Sequence, residues 1–313
     1  MIWAKLAVIL AYLMVEGHMD MTFRPISLEG QAEYTRLLAL CSQKPSDYSF
    51  VNLWGWGREY GLEWCFFDEF VLIRQTFPHT LYWAPVGNWQ DAHWSELQAA
   101  LPRDTCFIRI PEELKNIWES TLSGLQVEEC REHWDYLYDV TELTELKGRK
   151  FHNKKNLLNQ FLRDHDAKFV LLDEKTVECA LALQTDWFLW RNTENDQTLD
   201  AENRAIIKVM HDWSRLGGLV GGGLVVDDKM IAYTIAEALD DTSIVIHFEK
   251  GCPNFKGVYQ AINQIFLEQC CQGFKVVNRE QDLGDDGLRK AKLSYNPVGF
   301  LKKYKVCMQG GLL

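Results

Sequence analysis

Two acid–base side chains stand two residues apart in the segment Ser243 to Glu249, namely His247 and Glu249. On a regular strand, positions i and i+2 point to the same face, so an imidazole and a carboxylate would lie side by side. Such a pair suits general-base work, removing the proton of an attacking amine during acyl transfer. The alternative is a hydrogen-bonded pair on a solvated face. Further on, the stretch Arg279 to Lys292 crowds together Arg279, Glu280, Asp282, Asp285, Asp286, Arg289, Lys290 and Lys292. Arg289 and Lys292 are spaced i and i+3 and share a helical face, as a clamp for phosphate or carboxylate requires. Asp282 and Glu280 suit an amino group. An internal salt-bridge network is the competing reading of so dense a mix of signs.

A third segment, Lys147 to Arg163 (KGRKFHNKKNLLNQFLR), holds six Lys and Arg and no acidic residue. Wound as a helix, it places Phe151, Leu158 and Leu162 on an apolar edge and Lys147, Lys150 and Lys154 on a second face, with Arg149, Asn153 and Asn156 beside them. Asn amides are weak helix formers but good partners for phosphate and carbonyl groups. Lys147, Arg149, Lys150, His152, Asn153, Lys154 and Asn156 are therefore candidate contacts for RNA or phosphate, against the alternative of a solvated face.

The elements that must position these groups can be read from periodicity and punctuation. Ala167 to Leu172 reads as a strand, Lys175 to Trp190 and the segment from Asp200 or Ala201 to Trp213 as helices, and Gly218 to Val226, Met230 to Ala238 and Ser243 to Glu249 as three strands. A helix from Lys256 to Gln272, a strand Phe274 to Asn278, a helix Asp286 to Leu293 and a strand Tyr304 to Met308 follow. The first half predicts a looser copy, with strands Phe23 to Ile26, Leu62 to Phe67, Phe70 to Gln75, Leu81 to Ala84, Cys106 to Ile110 and Tyr136 to Val140. Its helices are predicted after Ser27, from Trp89 to Leu101, and from Pro111 to Trp118. The glycines at 217, 218, 221, 222 and 223 read as a flexible start to a strand.

Composition bounds what these elements can be. The chain has 313 residues, with 33 Lys and Arg against 44 Asp and Glu, a net charge of -11. That excludes a generally basic nucleic-acid coat protein and leaves only a local contact open. Hydrophobic content of 47% with 25% charged residues predicts a packed globular protein, and the length predicts two domains. Nine cysteines are scattered without a C-x-x-C, so reduced thiols, mostly small core residues, and no metal site are expected in a cytoplasmic protein. Eight of the 12 tryptophans lie between Trp54 and Trp134; they are expected in the core and at the domain interface, ahead of a ligand-stacking role. The apolar run Leu6 to Val15 is too short for a helix to span a bilayer, which takes roughly 20 residues, and it lacks a small-x-small cleavage site. Residues 1–21 are read as an N-terminal extension, with a weak surface anchor as the alternative.

The element order β-α-α-β-β-β-α-β-α-β resembles the GCN5-related N-acetyltransferases. The fold class expected is α/β (α+β), two tandem N-acetyltransferase-like domains, each a mixed, mostly antiparallel sheet flanked by helices. The boundaries are 22–142 and 166–313, with a basic linking helix at 143–165. The segments LKGRKFHNKKNLLNQFL, IHFEKGCPNFKGVYQAINQ and VNREQDLGDDGLRKAKLSYNP further resemble a bacterial family of unassigned function similar to the C-terminal catalytic domain of phosphatidylglycerol lysyltransferases. That resemblance covers residues 22–308 and implies kinship to aminoacyl-tRNA-dependent transferases, which move an aminoacyl group to an amine or hydroxyl. Those lysyltransferases also carry a multi-span membrane domain ahead of the catalytic part, where this sequence shows only the ten-residue run; a membrane surface is not expected as a partner.

In the acetyltransferase fold, the turn after the fourth strand holds the donor's pyrophosphate on backbone N–H groups. The resemblance therefore makes Lys250, Gly251, Phe255, Lys256 and Gly257 the donor-phosphate candidates. It also places Tyr295 near the position of that fold's general-acid tyrosine, with a core phenol as the alternative. GCPNFKG is neither a Walker A loop nor the Gln/Arg-x-x-Gly-x-Gly/Ala loop of acetyl-CoA enzymes, which favours aminoacyl-tRNA over acyl-CoA as the donor substrate. No tightly bound cofactor is expected. The partners expected are tRNA and a small-molecule acceptor, the other possibilities being a coenzyme-A-dependent N-acyltransferase and a non-catalytic binding module.

Overall fold

The computed structural model describes residues 21–67, 69–191 and 196–308; the run Leu6 to Val15 lies outside them. The first half contains β1 (Arg24–Pro25), α1 (Gln31–Leu38), α2 (Phe50–Trp56), β2 (Glu63–Phe66), β3 (Phe70–Gln75), β4 (Leu81–Trp83), β5 (Val86–Gly87), α3 (Trp94–Ala100), β6 (Cys106–Pro111), α4 (Glu112–Thr121), β7 (Leu125–Glu129) and β8 (Asp135–Asp139). Helices α5 (Val140–Glu145) and α6 (His152–Asp164) link it to the second half. That half contains β9 (Lys168–Leu171), α7 (Val177–Arg191), α8 (Gln197–His211), β10 (Leu219–Val226), β11 (Lys229–Ala238), β12 (Ser243–Gly251), α9 (Val258–Cys270), β13 (Val276–Asn278), α10 (Asp286–Leu293), β14 (Gly299–Leu301) and β15 (Lys303–Met308).

Two mixed sheets result. The first runs β1-β2-β3-β4-β6-β15-β7, with β5 against β3; the second runs β9-β10-β11-β12-β13-β8-β14. Each has one parallel step at the same place, β4 beside β6 and β12 beside β13. The duplication expected from element order is thus visible in strand order, and the fold is the tandem N-acetyltransferase-like architecture. The sixth position of each sheet is filled by the other half, so that β8 completes the second sheet and β15 the first. The sequence boundaries 22–142 and 166–313 cut across this exchange, because strand pairing is blind to chain position.

The second sheet is covered on both faces. On one, α9 packs over Ile244, Ile246, Ala232 and Ala236 together with Phe161 of α6. On the other, Tyr233, Ile235 and Phe248 join Val177 and Leu183 of α7, Val209 and Met210 of α8, and the first half's aromatics in one shared core. Trp64, Trp83, Trp89, Trp94 and Trp118 are buried there, as core tryptophans should be. Helix α8 approaches α2 closely, with Trp54 Nε1 donating to Asp212 at 2.9 Å. The glycines 221 to 223 lie within β10, where a Cβ at Gly222 would stand 2.3 Å from the Phe169 ring; close packing, not a flexible strand start, explains them.

Two further expectations are corrected. Cys106 and Cys307 form a disulfide, because the exchange of β15 places them opposite each other on paired strands; the other seven cysteines are free. The basic segment starts its α-helix only at His152, after Leu146 and Gly148 take left-handed backbone. Lys147 is therefore outside the helix. Leu162 faces solvent, and Phe161 takes the buried place with Phe151 and Leu158.

Candidate functional site

Strands β12 and β13 pair over three positions only, Ser243 with Val276, Ile244 with Val277 and Val245 with Asn278. Beyond them β12 continues to Gly251 while the chain leaves β13 at Arg279, so the two strands part. Two ion pairs bridge the parting. His247 Nδ1 lies 2.9 Å from Glu280 Oε1, and Arg279 Nη2 donates to Glu249 Oε1 at 2.9 Å. Glu280 holds φ at 56°, a left-handed backbone that a non-glycine residue adopts at a cost and that recurs at functional sites.

The two bridges lie on opposite faces because β12 carries a bulge. Ile235 pairs with Phe248 but Ala236 pairs with Ile246, leaving His247 as the extra residue. An extra residue reverses the alternation of faces. His247 consequently points toward the shared core and the first half, and Glu249 points toward α9. The same-face pairing expected of these two residues does not occur.

His247 has a side chain with no exposure. Its Nε2 is 3.3 Å from Glu237 Oε2 and 3.4 Å from Ser49 Oγ. Burial works to lower its pKa, but hydrogen bonding and charge from Glu237 and Glu280 outweigh burial and hold it at about 9. At neutral pH it is an imidazolium, which corrects its assignment as a general base. Glu249 is also fully engaged, accepting from Thr234 Oγ1, Asn263 Nδ2 and Arg279.

On the α9 side the parting is closed by Tyr295. Its hydroxyl accepts from Gln260 Nε2 at 3.3 Å, its ring lies 5.1 Å from the Arg279 guanidinium, and Lys154 Nζ sits 4.0 Å from the ring centre. Burial raises the phenol's pKa, so it keeps its proton. Burial and then Arg279 lower that of Lys154. One lysine of the basic segment is thereby drawn into the site. The rest stay at the surface: Lys147 and Lys150 pair with Glu145 and Glu142, Asn156 bonds His152, and Arg149 and Asn153 are exposed.

The acidic–basic stretch after β13 is largely an internal network. Asp282 is fully buried and accepts from Arg289 Nε and Nη2 at 2.9 Å each, from Arg131, from the Tyr136 hydroxyl and from the Gly284 amide. Neither Asp282 nor Arg289 is free for substrate as expected, because each satisfies the other. Lys292 Nζ donates to the backbone carbonyls of Arg279 and Glu280; burial and Arg279 push its pKa down to about 8. It fixes the backbone at the parting instead of clamping an anion.

In the turn after β12, Lys250 also turns away from the expected donor role. It pairs with both oxygens of Glu202 at 2.8 Å and lies over the Trp187 ring at 4.1 Å. Gly251 ends β12, Phe255 packs on His165, and Lys256 is exposed. Gly257 caps α9 at φ 87°, and a Cβ there would stand 2.3 Å from the Leu157 carbonyl, so only glycine lets α6 lie against this turn.

Sequence reasoning missed a buried network joining the halves. Asp47 pairs with Arg109 at 2.7 Å and with Lys303, which also pairs with Asp135 at 2.7 Å. Burial opposes the charge of Asp47, but Arg109 and Lys303 outweigh it and hold the carboxyl at about 2. Asp135 also accepts from Ser46, Asn278 and Gln281. Arg109, at φ 60°, stacks 4.4 Å from Trp83 beyond the β4–β6 pairing, so the first half's parting is filled by its own guanidinium. Positive φ on a strand arginine leaves no local sequence signal. Among the described residues, no group of His, Cys, Asp and Glu could hold a metal ion, and no helix is long and apolar enough to cross a membrane.

Residues 38–307 match the family described as phosphatidylglycerol lysyltransferase, C-terminal. An uncharacterized protein of Mycoplasmoides gallisepticum is 23% identical over 207 residues, which cover 62% of this chain and 66% of that relative; the match spans just under two thirds of the relative's length. Among solved structures, a conserved protein of unknown function from Bacteroides thetaiotaomicron superposes with a TM-score of 0.83 at 29% identity, covering 92% of this chain and 100% of the other. The C-terminal domain of a putative lysylphosphatidylglycerol synthetase from Agrobacterium fabrum gives 0.63 at 15% identity, covering 91% and 93%; this likeness concerns the fold.

Proposed function

The chain belongs to the family of phosphatidylglycerol lysyltransferase C-terminal domains, and from that premise we propose that it is an acyltransferase that moves an aminoacyl group from charged tRNA to a small amine or hydroxyl acceptor. The observation that carries the reading is the parting of β12 and β13, lined by Glu280, Arg279 and Tyr295 in the second half, while Arg109 fills its counterpart in the first. The acceptor's nitrogen or oxygen attacks the ester carbonyl, the bond to the tRNA oxygen breaks, and the acceptor's proton is balanced by one delivered to that oxygen. Tyr295, protonated and beside two cations, is placed to deliver it. The exposed Arg149 and Lys155 of the basic segment, neither of them in an ion pair among the described residues, support an RNA donor.

The test is a transfer assay with tRNA charged with labelled amino acids and a panel of small amines and alcohols. Label should pass from tRNA to a small product, and Tyr295→Phe should slow this by about 10²-fold or more. Label that leaves tRNA only at the uncatalysed rate, with acetyl groups instead taken from acetyl-CoA, overturns the reading.

A further inference from the structure

The carboxylates around the parting differ in how much of each is spent. Asp282 and Asp135 are fully buried and saturated, Asp47 is held by Arg109 and Lys303, and both oxygens of Glu249 accept hydrogen bonds. Glu237 also keeps one oxygen without a partner among the described residues, but it lies behind His247 with only 10% of its side chain exposed, its Oε2 shared between the Val51 amide and the imidazole. Glu280 stands apart. Its Oε1 takes both Asn52 Nδ2 at 2.8 Å and His247 Nδ1 at 2.9 Å, its Oε2 has no partner among the described residues, and its side chain is 21% exposed, the most of this set.

We propose that Glu280 is the substrate-recognition residue, whose free carboxylate oxygen takes the α-ammonium of the aminoacyl group. This rests on the aminoacyl-transfer reading and deepens it, since it separates donors with a free amine from plain acyl donors. Three features converge on the assignment. Asn52 and His247 fix one oxygen and so aim the other. One imidazole serves two carboxylates, Glu237 and Glu280, which leaves charge for a cation to complete. Lys292, whose charge Glu280 favours, hydrogen-bonds the backbone carbonyls of Arg279 and Glu280 and not the carboxylate oxygens, and so holds the left-handed backbone at Glu280. A charge-assisted hydrogen bond to an ammonium is the strong kind. An acyl chain without an amine would leave that oxygen unanswered. His247 acts through Glu280 and is a positioning residue.

The experiment is calorimetric titration of the full chain with alaninamide, which carries the α-ammonium beside a carbonyl, and with N-acetylalaninamide, which lacks the charge. Alaninamide should bind and the acetylated probe should bind about tenfold more weakly or not at all; Glu280→Gln should erase the difference. Equal binding of both probes, or no binding of alaninamide up to its solubility limit, overturns the assignment. The wild-type comparison decides even where the variant does not fold. Failure of the labelled-tRNA assay with discrimination intact counts against the donor and not against Glu280. Transfer from tRNA without discrimination counts against Glu280 alone.

Discussion

Between Glu237 and Glu280 the His247 ring keeps its proton to about pH 9, against an ordinary value of 6.5. A raised folded-state pKa stabilises fully below the unfolded value and is lost as pH rises through the folded one. Stability should therefore fall between about pH 6.5 and 8. Above about 8 the decline is countered as Lys292, pushed down to about 8, sheds its buried charge. His133, lowered by burial, works in the opposite sense up to its ordinary value, so the test starts above it. Urea midpoints from pH 7 to 8 should decline in the wild type and stay level in His247→Gln; parallel curves for the two would disprove the imidazolium. At the junction, Lys303→Ala should cost about 3–5 kcal/mol, since it strands Asp47 and Asp135 without their shared cation. His247, Glu249, Arg279 and Tyr295, singled out in the sequence as polar groups among apolar segments, are brought together around the parting, though His247 and Glu249 lie on opposite faces. The sequence was silent on Lys303 with Asp47, whose contact spans 256 positions.

Most elements were legible from periodicity, and β3 and α10 fell at the expected residues. What periodicity could not carry was the β12 bulge. Alternation reads two residues per repeat, and one inserted residue moves Glu249 to the opposite face without changing the apolar pattern. The short α2 escaped for another reason: its FVNLWGW sequence is apolar nearly all round and has no amphipathic period. The contact of α6 with the turn at Gly257 yields a prediction at this scale. Gly257→Ala meets both a left-handed backbone and the Leu157 carbonyl, so it should destabilise by about 1–3 kcal/mol and loosen α6, read as faster amide exchange there. On the exposed side of the basic segment, reversing the charge of Arg149, just ahead of α6, and of Lys155 within it should weaken tRNA binding and flatten its salt dependence. Filter binding over a salt series checks this, and an unchanged slope would return the segment to a plain solvated face.

The whole molecule is two copies of one sheet order, each closed by a strand from the other. Deleting β15 should therefore damage the first half most, although the cut is made at the end of the second. A chain ending at Leu301 should lose protection from proteolysis around β6 and β7 before β10 to β12, as limited digestion and mass spectrometry would reveal; the reverse order of cleavage would disprove the dependence. Length led to the expectation of two domains, but no local signal marks the strands that the two halves exchange. The exchange also sets when the protein can exist at all. As the chain leaves the ribosome, the first sheet keeps an open slot between β6 and β7 until β15 is made, while β8 waits for a sheet not yet synthesised. Each sheet is therefore left with an unfilled place until the other half supplies its strand, which ties the assembly of the two halves together in time.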